Sequence, residues 1–243
     1  MIHMRTIISV YGPLMLSAMG QTLLLALYGL FFACIIGMIF GLMSVSSKKI
    51  PRIIAAVFVN LIRGVPMIVL AYFIYFGVPY FWNTLLGKGG LTLTALTDGS
   101  ICLAMNCGAY MSEIIRAGIQ SVDVGQIEAG RSLGLPAWRT MYRIVLPQAI
   151  RTMIPSIINQ FIITLKDTSI LSVIGFPELV NTAKNVVAKT FMSFQTWAVV
   201  GCMYLFVILI LQFAAKYLEK KLSYENLSGG RKAAASAAPE QAN

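Results

Sequence analysis

Residues 128–147 read EAGRSLGLPAWRTMYRIVLP. No other long stretch of this chain is polar, basic and able to form helices at once. Glu128, Arg131, Trp138, Arg139 and Arg143 punctuate it, and Gly130, Gly134 and Pro136 divide it into short pieces. The glycines permit tight turns, and Pro136 suits the first turn of a helix over 137–145. On that helix Trp138, Met141, Tyr142 and Val145 are expected on one side, with Arg139 and Arg143 on another. A helix of this kind lies along a membrane surface or enters a groove on a partner.

Around this stretch the chain is oily. Of its 243 residues 58% are hydrophobic and 12% charged, about half the charge of a soluble domain. Composition alone makes it a membrane protein. The net charge of +10 does not gather into a patch for nucleic acid. The basic residues recur between apolar runs, which fits a charge bias that sets topology. Cys34, Cys102, Cys107 and Cys202 lie in apolar runs without a CxxC pair or Cys/His cluster, so small buried hydrophobes are expected rather than a disulfide or a metal site. The one histidine, His3, leaves no basis for histidine-based chemistry.

A bilayer core needs about 20 helical residues. The first run, 21–45, meets this without a charge, and it is too long for a signal-peptide core. Residues 10–18, broken by Gly12 and Pro13, are expected to be an interfacial segment. A second span starts near Ile53 or Pro66 and ends at Trp82, where Tyr80 and Trp82 resemble an interfacial belt. Residues 83–99 form a polar loop holding Lys88 and Asp98. The third span, 100–119, contains Asn106, Gly108, Ser112 and Glu113, so it is expected inside a bundle with small residues at its contacts. The basic loop, about 120–151, follows. A fourth apolar stretch, 153–176, is interrupted by Lys166, Asp167, Thr168 and Ser169. After a second loop, 177–194, with Glu178, Lys184 and Lys189, comes a fifth span, 197–215. Residues 1–222 thus form one transmembrane domain, and 223–243 a tail expected to be disordered and cytoplasmic.

The expectation is an all-α integral membrane protein with five transmembrane helices, the N-terminus outside and the C-terminus inside. In that arrangement 14 Lys and Arg lie on inside segments and four outside, with Lys166 in the membrane, as the positive-inside rule requires.

No nucleophile–base pair, cofactor fingerprint or GxxxxGK[ST] phosphate loop is visible. The chain is therefore not expected to be an enzyme, and transport driven by ATP would need its ATPase in another chain. Lys166 and Asp167 are neighbours in an apolar run, where charges line a pathway, face a partner or pair. Adjacent residues do not face each other on a helix. Either the helix opens at Thr168–Ser169, or each charge meets a different neighbour. The two readings, a pathway for a zwitterionic solute and a structural ion pair, both stand. Glu113 and Arg116 form an i,i+3 pair of structural or gating type, and Arg63, before Gly64 and Pro66, is expected as an anchor at a helix start. Asn159 and Gln160 either bond between helices or line the pathway.

These residues carry a resemblance. Glu128-Ala129-Gly130, then Gly134, then Ile144-Val145-Leu146-Pro147, resembles the cytoplasmic coupling loop of bacterial ABC importer permeases, with Gly130 where that pattern has Ala. Arg63-Gly64-Val65-Pro66, then Gly108-Ala109-Tyr110 with Glu113 and Arg116, then Asn159-Gln160 with Lys166-Asp167-Thr168-Ser169, resemble the polar amino acid permeases of that class, glutamine-type above all. The blocks cover roughly residues 20–222 in the family's order.

The resemblance implies a type I ABC importer transmembrane fold in the bacterial inner membrane. It implies a permease that pairs with itself or a sister chain and rests on two ATPase subunits that bind ATP and magnesium. An extracytoplasmic binding protein would deliver a polar amino acid, glutamine-like, for import. Glu128, Ala129, Gly130, Gly134, Leu146 and Pro147 would engage the ATPase. A passive channel for small polar solutes is the alternative, and it would need no such loop.

Overall fold

A computed structural model describes residues 2–85, 87 and 89–236, with side chains for 4–84, 87 and 89–217. Lys88 lies outside the described residues. Among them the chain forms eight helices and no strand: α1 (Met4–Ser44), α2 (Lys49–Gly64), α3 (Met67–Thr84), α4 (Ala95–Gln120), α5 (Val124–Ser132), α6 (Ala137–Ile174), α7 (Leu179–Thr190) and α8 (Ser193–Ser236).

Two of these boundaries depart from expectation for one reason. A proline inside a helix lacks its N–H and presses its ring on the carbonyl four residues back. Here Pro13, Pro79 and Pro147 each follow a π turn, over Ile7–Tyr11, Phe73–Gly77 and Met141–Val145. In the last two the closing bond reaches five residues back, from Val78 N–H to Phe73 O and from Leu146 N–H to Met141 O. The wider turn makes room for the ring. Residues 10–18 are therefore not a separate interfacial piece but the early part of α1. Likewise the basic loop ends at Pro136, not near Arg151, because α6 runs unbroken through Pro147 into the fourth apolar stretch.

The second span begins at Met67: Val65 and Pro66 are extended and part it from α2, which buries only Ala55, Val59 and Ile62. Helix α4 starts at Ala95, so Asp98 belongs to a helix and not to the polar loop. Its start is written in the sequence, since Thr94 Oγ1 caps Thr97 N–H at 3.2 Å. Helix α8 continues past the apolar run to Ser236, through residues 223–236 that were expected to be disordered; Ala, Lys, Glu and Leu there favour helix. Residues 237–243 lie outside the described residues.

Among the described residues four helices are long and apolar enough to cross a membrane: α1, α3, α6 and α8 to Tyr217. Helix α4 is long enough but polar, and its place in the bundle explains why. It lies against α1 along a stripe of small residues, Gly29, Ala33, Gly37 and Gly41. A methyl added at Gly29 would sit 2.6 Å from Leu103 Cβ, at Gly37 2.5 Å from Met111 Cβ, and at Gly41 2.7 Å from Ile115 Cγ2; in return, Gly108 of α4 would meet Ile36 Cγ2 at 2.7 Å. Backbones approach this closely only without side chains between them. On its other flank α4 runs antiparallel to α6. Gly99 meets Leu171, the Cys102 thiol lies in reach of Asp167, Cys107 lies beside Thr164 and Gln160, and Gly118 meets Met153. Shielded on both sides, α4 can hold Asp98, Asn106 and Ser112 buried. By contrast α8 buries only 11% of its apolar window.

All four cysteines are free; Cys102 and Cys107 are buried, while Cys34 and Cys202 lie exposed on the apolar surface, contrary to the expectation for those two.

Candidate functional site

At the loop end of the bundle, α5 starts at Asp123, whose Oδ1 accepts from Gly125 N–H at 2.6 Å. It stops at Gly134, which has φ of +78°. Leu135 N–H reaches back to Gly130 O at 3.1 Å and Gly134 N–H to Arg131 O at 2.9 Å. This doubly closed stop satisfies two orphan carbonyls and needs a left-handed residue. The chain then turns at Pro136 into α6, and α5 folds back on it. A methyl at Gly130 would lie 2.8 Å from Ile144 Cδ1 and 3.0 Å from Thr140 Cγ2. With no side chain at Gly130, the two arms sit closer than an alanine there would allow.

The first turns of α6 face the core with Thr140 and Val145, both 1% exposed. Val145 packs with Ile119, Val122, Ala149 and Met153, and Met141 lies partly against them. Trp138 and Tyr142 do not share that side as expected: they are 66% and 68% exposed, and Leu133 beside them is 81% exposed. The helical turn puts Thr140 and Ile144 opposite α5, and this rotates the two aromatics outward. The Arg139 guanidinium lies over the Trp138 ring, 5.1 Å from its centre. Glu128, Ala129 and Pro147 are exposed and Leu146 half-buried. The loop thus presents Leu133, Trp138 and Tyr142 outward from a base locked to the bundle.

The residues taken from separate blocks converge in part. Arg116 grips Glu113 with both forks, Nη2–Oε2 at 2.7 Å and Nε–Oε1 at 3.2 Å, and extends to Gln120 Oε1 at 3.3 Å. Arg63 is more than an anchor. It joins the same carboxylate at 3.7 Å and lies over the Tyr110 ring at 4.8 Å, so the end of α2 is tied to α4. Arg63, Tyr110, Glu113 and Arg116 line a cleft of about 520 Å³ that also reaches Thr152, Ser156 and Gln160.

Farther along α6, Gln160 is buried and Asn159 exposed, so these neighbours serve different surroundings. At Asp167 the helix tightens into a 3-10 turn over Thr168–Ile174 and does not open. Thr168 Oγ1 donates to Leu165 O and Ser169 Oγ to Lys166 O, each at 2.7 Å. Lys166 faces outward, Asp167 is half-buried and Thr168 fully buried. No ion pair within 4 Å joins Lys166 to Asp167 among the described residues; the carboxylate lies in electrostatic reach of Lys166 and of Cys102 and Cys107 of α4.

A device that pattern reading named but did not explain holds this turn. Glu178, 0% exposed, accepts from Val180 N–H at 2.8 Å, from Asn181 N–H, and from Tyr204 Oη–H at 3.3 Å. Burial pushes its carboxyl up, opposed by those donors and the charge of Lys184. Leu179 N–H donates to Thr22 Oγ1 at 3.1 Å, and Lys184 Nζ to Ser172 Oγ at 2.8 Å. Helix α7 is thereby pinned to α1, α8 and the 3-10 turn together. The sequence signal was present: an acid followed by a helix-period run is an N-cap pattern.

Residues 29–224 match the family described as binding-protein-dependent transport system inner membrane component. The chain belongs to that family. This permease is an inner-membrane component of a transport system, and its relatives are named as transport system permease proteins. It is 35% identical over 210 residues to the glutamine transport system permease protein GlnP of Escherichia coli K12, covering 86% of this chain and 93% of that one. To the putative glutamine permease of Rickettsia bellii it is 34% identical over 215 residues, with 87% and 95% covered. The crystal structure of an amino acid ABC transporter with histidines superposes with a TM-score of 0.79 at 34% identity, over 87% of this chain and 95% of that one. The inward-facing MetNI methionine ABC transporter, at 17% identity, shares the fold with a TM-score of 0.73 over 87% and 97%.

Proposed function

We propose that this permease imports a polar amino acid, glutamine or one of its size, driven by a separate ATPase that docks on the loop. In this reading α1, α3, α4, α6 and α8 cross the membrane in a type I importer arrangement, N-terminus outside and C-terminus inside. Two permease chains, this one paired with itself or a sister, sit on two ATPase subunits, which bind ATP and magnesium. A binding protein delivers the solute from outside. The names of the relatives support the solute class, and their family supports the binding protein.

The single observation that carries the mechanism is the unbroken helix α6. Its first turns bear Trp138 and Tyr142 on the docking surface, and its last bear Lys166, Asp167, Thr168 and Ser169. When the ATPase dimer closes, a push on residues 128–147 moves the whole helix. That tilts the solute-facing turn against α4 and loosens the Arg63–Glu113–Arg116 tie. ATP shifts the equilibrium only if the loop contacts differ between the two states. Asn159, Gln160 and the 166–169 turn then line the path, and the solute's two charges find Lys166 and Asp167.

The test is uptake into proteoliposomes holding the permease and ATPase, with binding protein and a labelled amino acid outside. Accumulation against a gradient that stops when hydrolysis is blocked is expected. Uptake that only equalises concentrations, with or without ATP, would establish the passive channel instead.

A further inference from the structure

Three arginines meet at the loop end of the bundle around a single acid. Arg52, Asn60 and Arg63 of α2 and Glu113, Arg116 and Gln120 of α4 line a crevice of about 350 Å³. It lies on the α2 side of the Glu113 tie, whereas the larger cleft lies on the α6 side. Arg52 and Arg63 are three turns of α2 apart and within about 20° of each other round its axis. They therefore share the face of the helix that lines the crevice.

The charges there do not balance. Glu113 is the only acid on the crevice, and its pairs with Arg63 and Arg116 are the only ion pairs among the described residues. Arg116 commits its donors to Glu113 and Gln120, which leaves part of its five-donor fork free. Arg63 touches the carboxylate at 3.7 Å with one nitrogen and covers Tyr110 with its face. Arg52 has neither an acid nor a hydrogen-bond partner among the described residues. Three guanidiniums beside one carboxylate leave an excess of positive charge, in a space for roughly ten waters at about 30 Å³ each. Such a space attracts an anion, and the guanidinium fork fits phosphate oxygens two at a time.

The rest of α2 identifies the carrier of that anion. Beside the crevice face, Ile50 (74% exposed), Ile53 (58%), Val57 (61%) and Leu61 (63%) turn outward. In a chain that crosses the membrane, acyl chains cover such a side; a free anion would gain nothing from it. Lys48 and Lys49, exposed at the start of α2, add positive charge where anionic headgroups gather. The helix also lacks other anchorage, since it buries only Ala55, Val59 and Ile62.

We propose that this crevice binds the phosphate of an anionic lipid, with Arg52, Arg63 and Arg116 as its donors. The lipid clamps α2 onto α4 at Gln120, the last residue before the chain turns toward α5. The inference needs only a chain inserted in a membrane and stands apart from the importer reading.

The test is thermal unfolding of the full-length permease in neutral detergent at constant ionic strength. Short-chain phosphatidylglycerol, short-chain phosphatidylcholine and inorganic phosphate are titrated in turn. Phosphatidylglycerol is expected to raise the unfolding temperature by about 3 °C or more, saturably, and the other two to leave it in place. Arg52→Gln should weaken the apparent affinity for phosphatidylglycerol about tenfold. Lys49→Gln, which removes a nearby charge that does not line the crevice, should weaken it far less. Arg52→Lys keeps the charge without the fork and should fall between; it also replaces Arg52→Gln should that variant fail to fold. Native mass spectrometry should find phosphatidylglycerol retained on the unaltered chain and lost from Arg52→Gln. Equal stabilisation by both lipids, or an equal loss in Arg52→Gln and Lys49→Gln, is general surface attraction and overturns the proposal. A shift produced as well by inorganic phosphate places a free anion in the crevice and overturns the lipid assignment.

Discussion

At the scale of single residues, two kinds of glycine make opposite demands. Gly134 has φ of +78° and no atom within 4 Å of an added methyl, so its requirement is conformational alone. Gly134→Ala should cost about 1 kcal/mol of local stability. Asn tolerates the left-handed region better, and a β-branched residue tolerates it worst. Co-purification of ATPase with the permease is therefore expected to fall in the order Gly134, Asn, Ala, Val. A flat series would show that the turn does not matter for docking. Gly134→Asp should insert normally yet lose ATPase, since it adds charge at the proposed docking surface. Gly37 is the other kind: its backbone is ordinary helix, and only space is lacking. Gly37→Ala should destabilise by about 1–3 kcal/mol through overpacking against Met111. Gly20→Ala on the same helix meets nothing within 4 Å and should be neutral or slightly stabilising. Thermal unfolding of the detergent-solubilised chain separates the two.

At the scale of elements, α6 couples loop to path only if it is rigid. A residue inserted after Thr152 turns everything beyond it by about 100°, which carries Asp167 away from Cys102. The loop, resting on its own contacts with α4, should still recruit ATPase, but hydrolysis should no longer drive uptake. Preserved transport would mean that α6 does not carry the signal. Helix α7 has a different task. Glu178→Ala strips acceptors from two N–H groups and a tyrosine, and should lower stability by about 1–3 kcal/mol. Glu178→Gln keeps one acceptor and should lose less.

At the scale of the whole molecule, Asp167→Ala should reduce uptake with the complex still assembled, because its half-buried carboxylate forms no ion pair within 4 Å among the described residues. If assembly itself fails on a sizing column, the carboxylate is structural and the path lies elsewhere.

Hydropathy runs and charge bias need no partner to be read, so the helical membrane class was legible in the sequence. Of the two glycines expected to turn the chain, Gly134 does so, because a left-handed turn is a local demand, whereas Gly130 lies inside α5, where its lack of a side chain serves packing. The sequence marked α4 as an interior helix, because Asn106, Ser112 and Glu113 are too polar for lipid. The direction in which Trp138 and Tyr142 face came from packing against α5, since helix periodicity defines a stripe but not what lies against it. The union of Arg63 with Glu113, 50 positions away in sequence numbering, was likewise beyond local reading. A partner across a helix interface is set by the register of two helices. That register follows from how closely small residues let their backbones meet, which pattern alone does not fix.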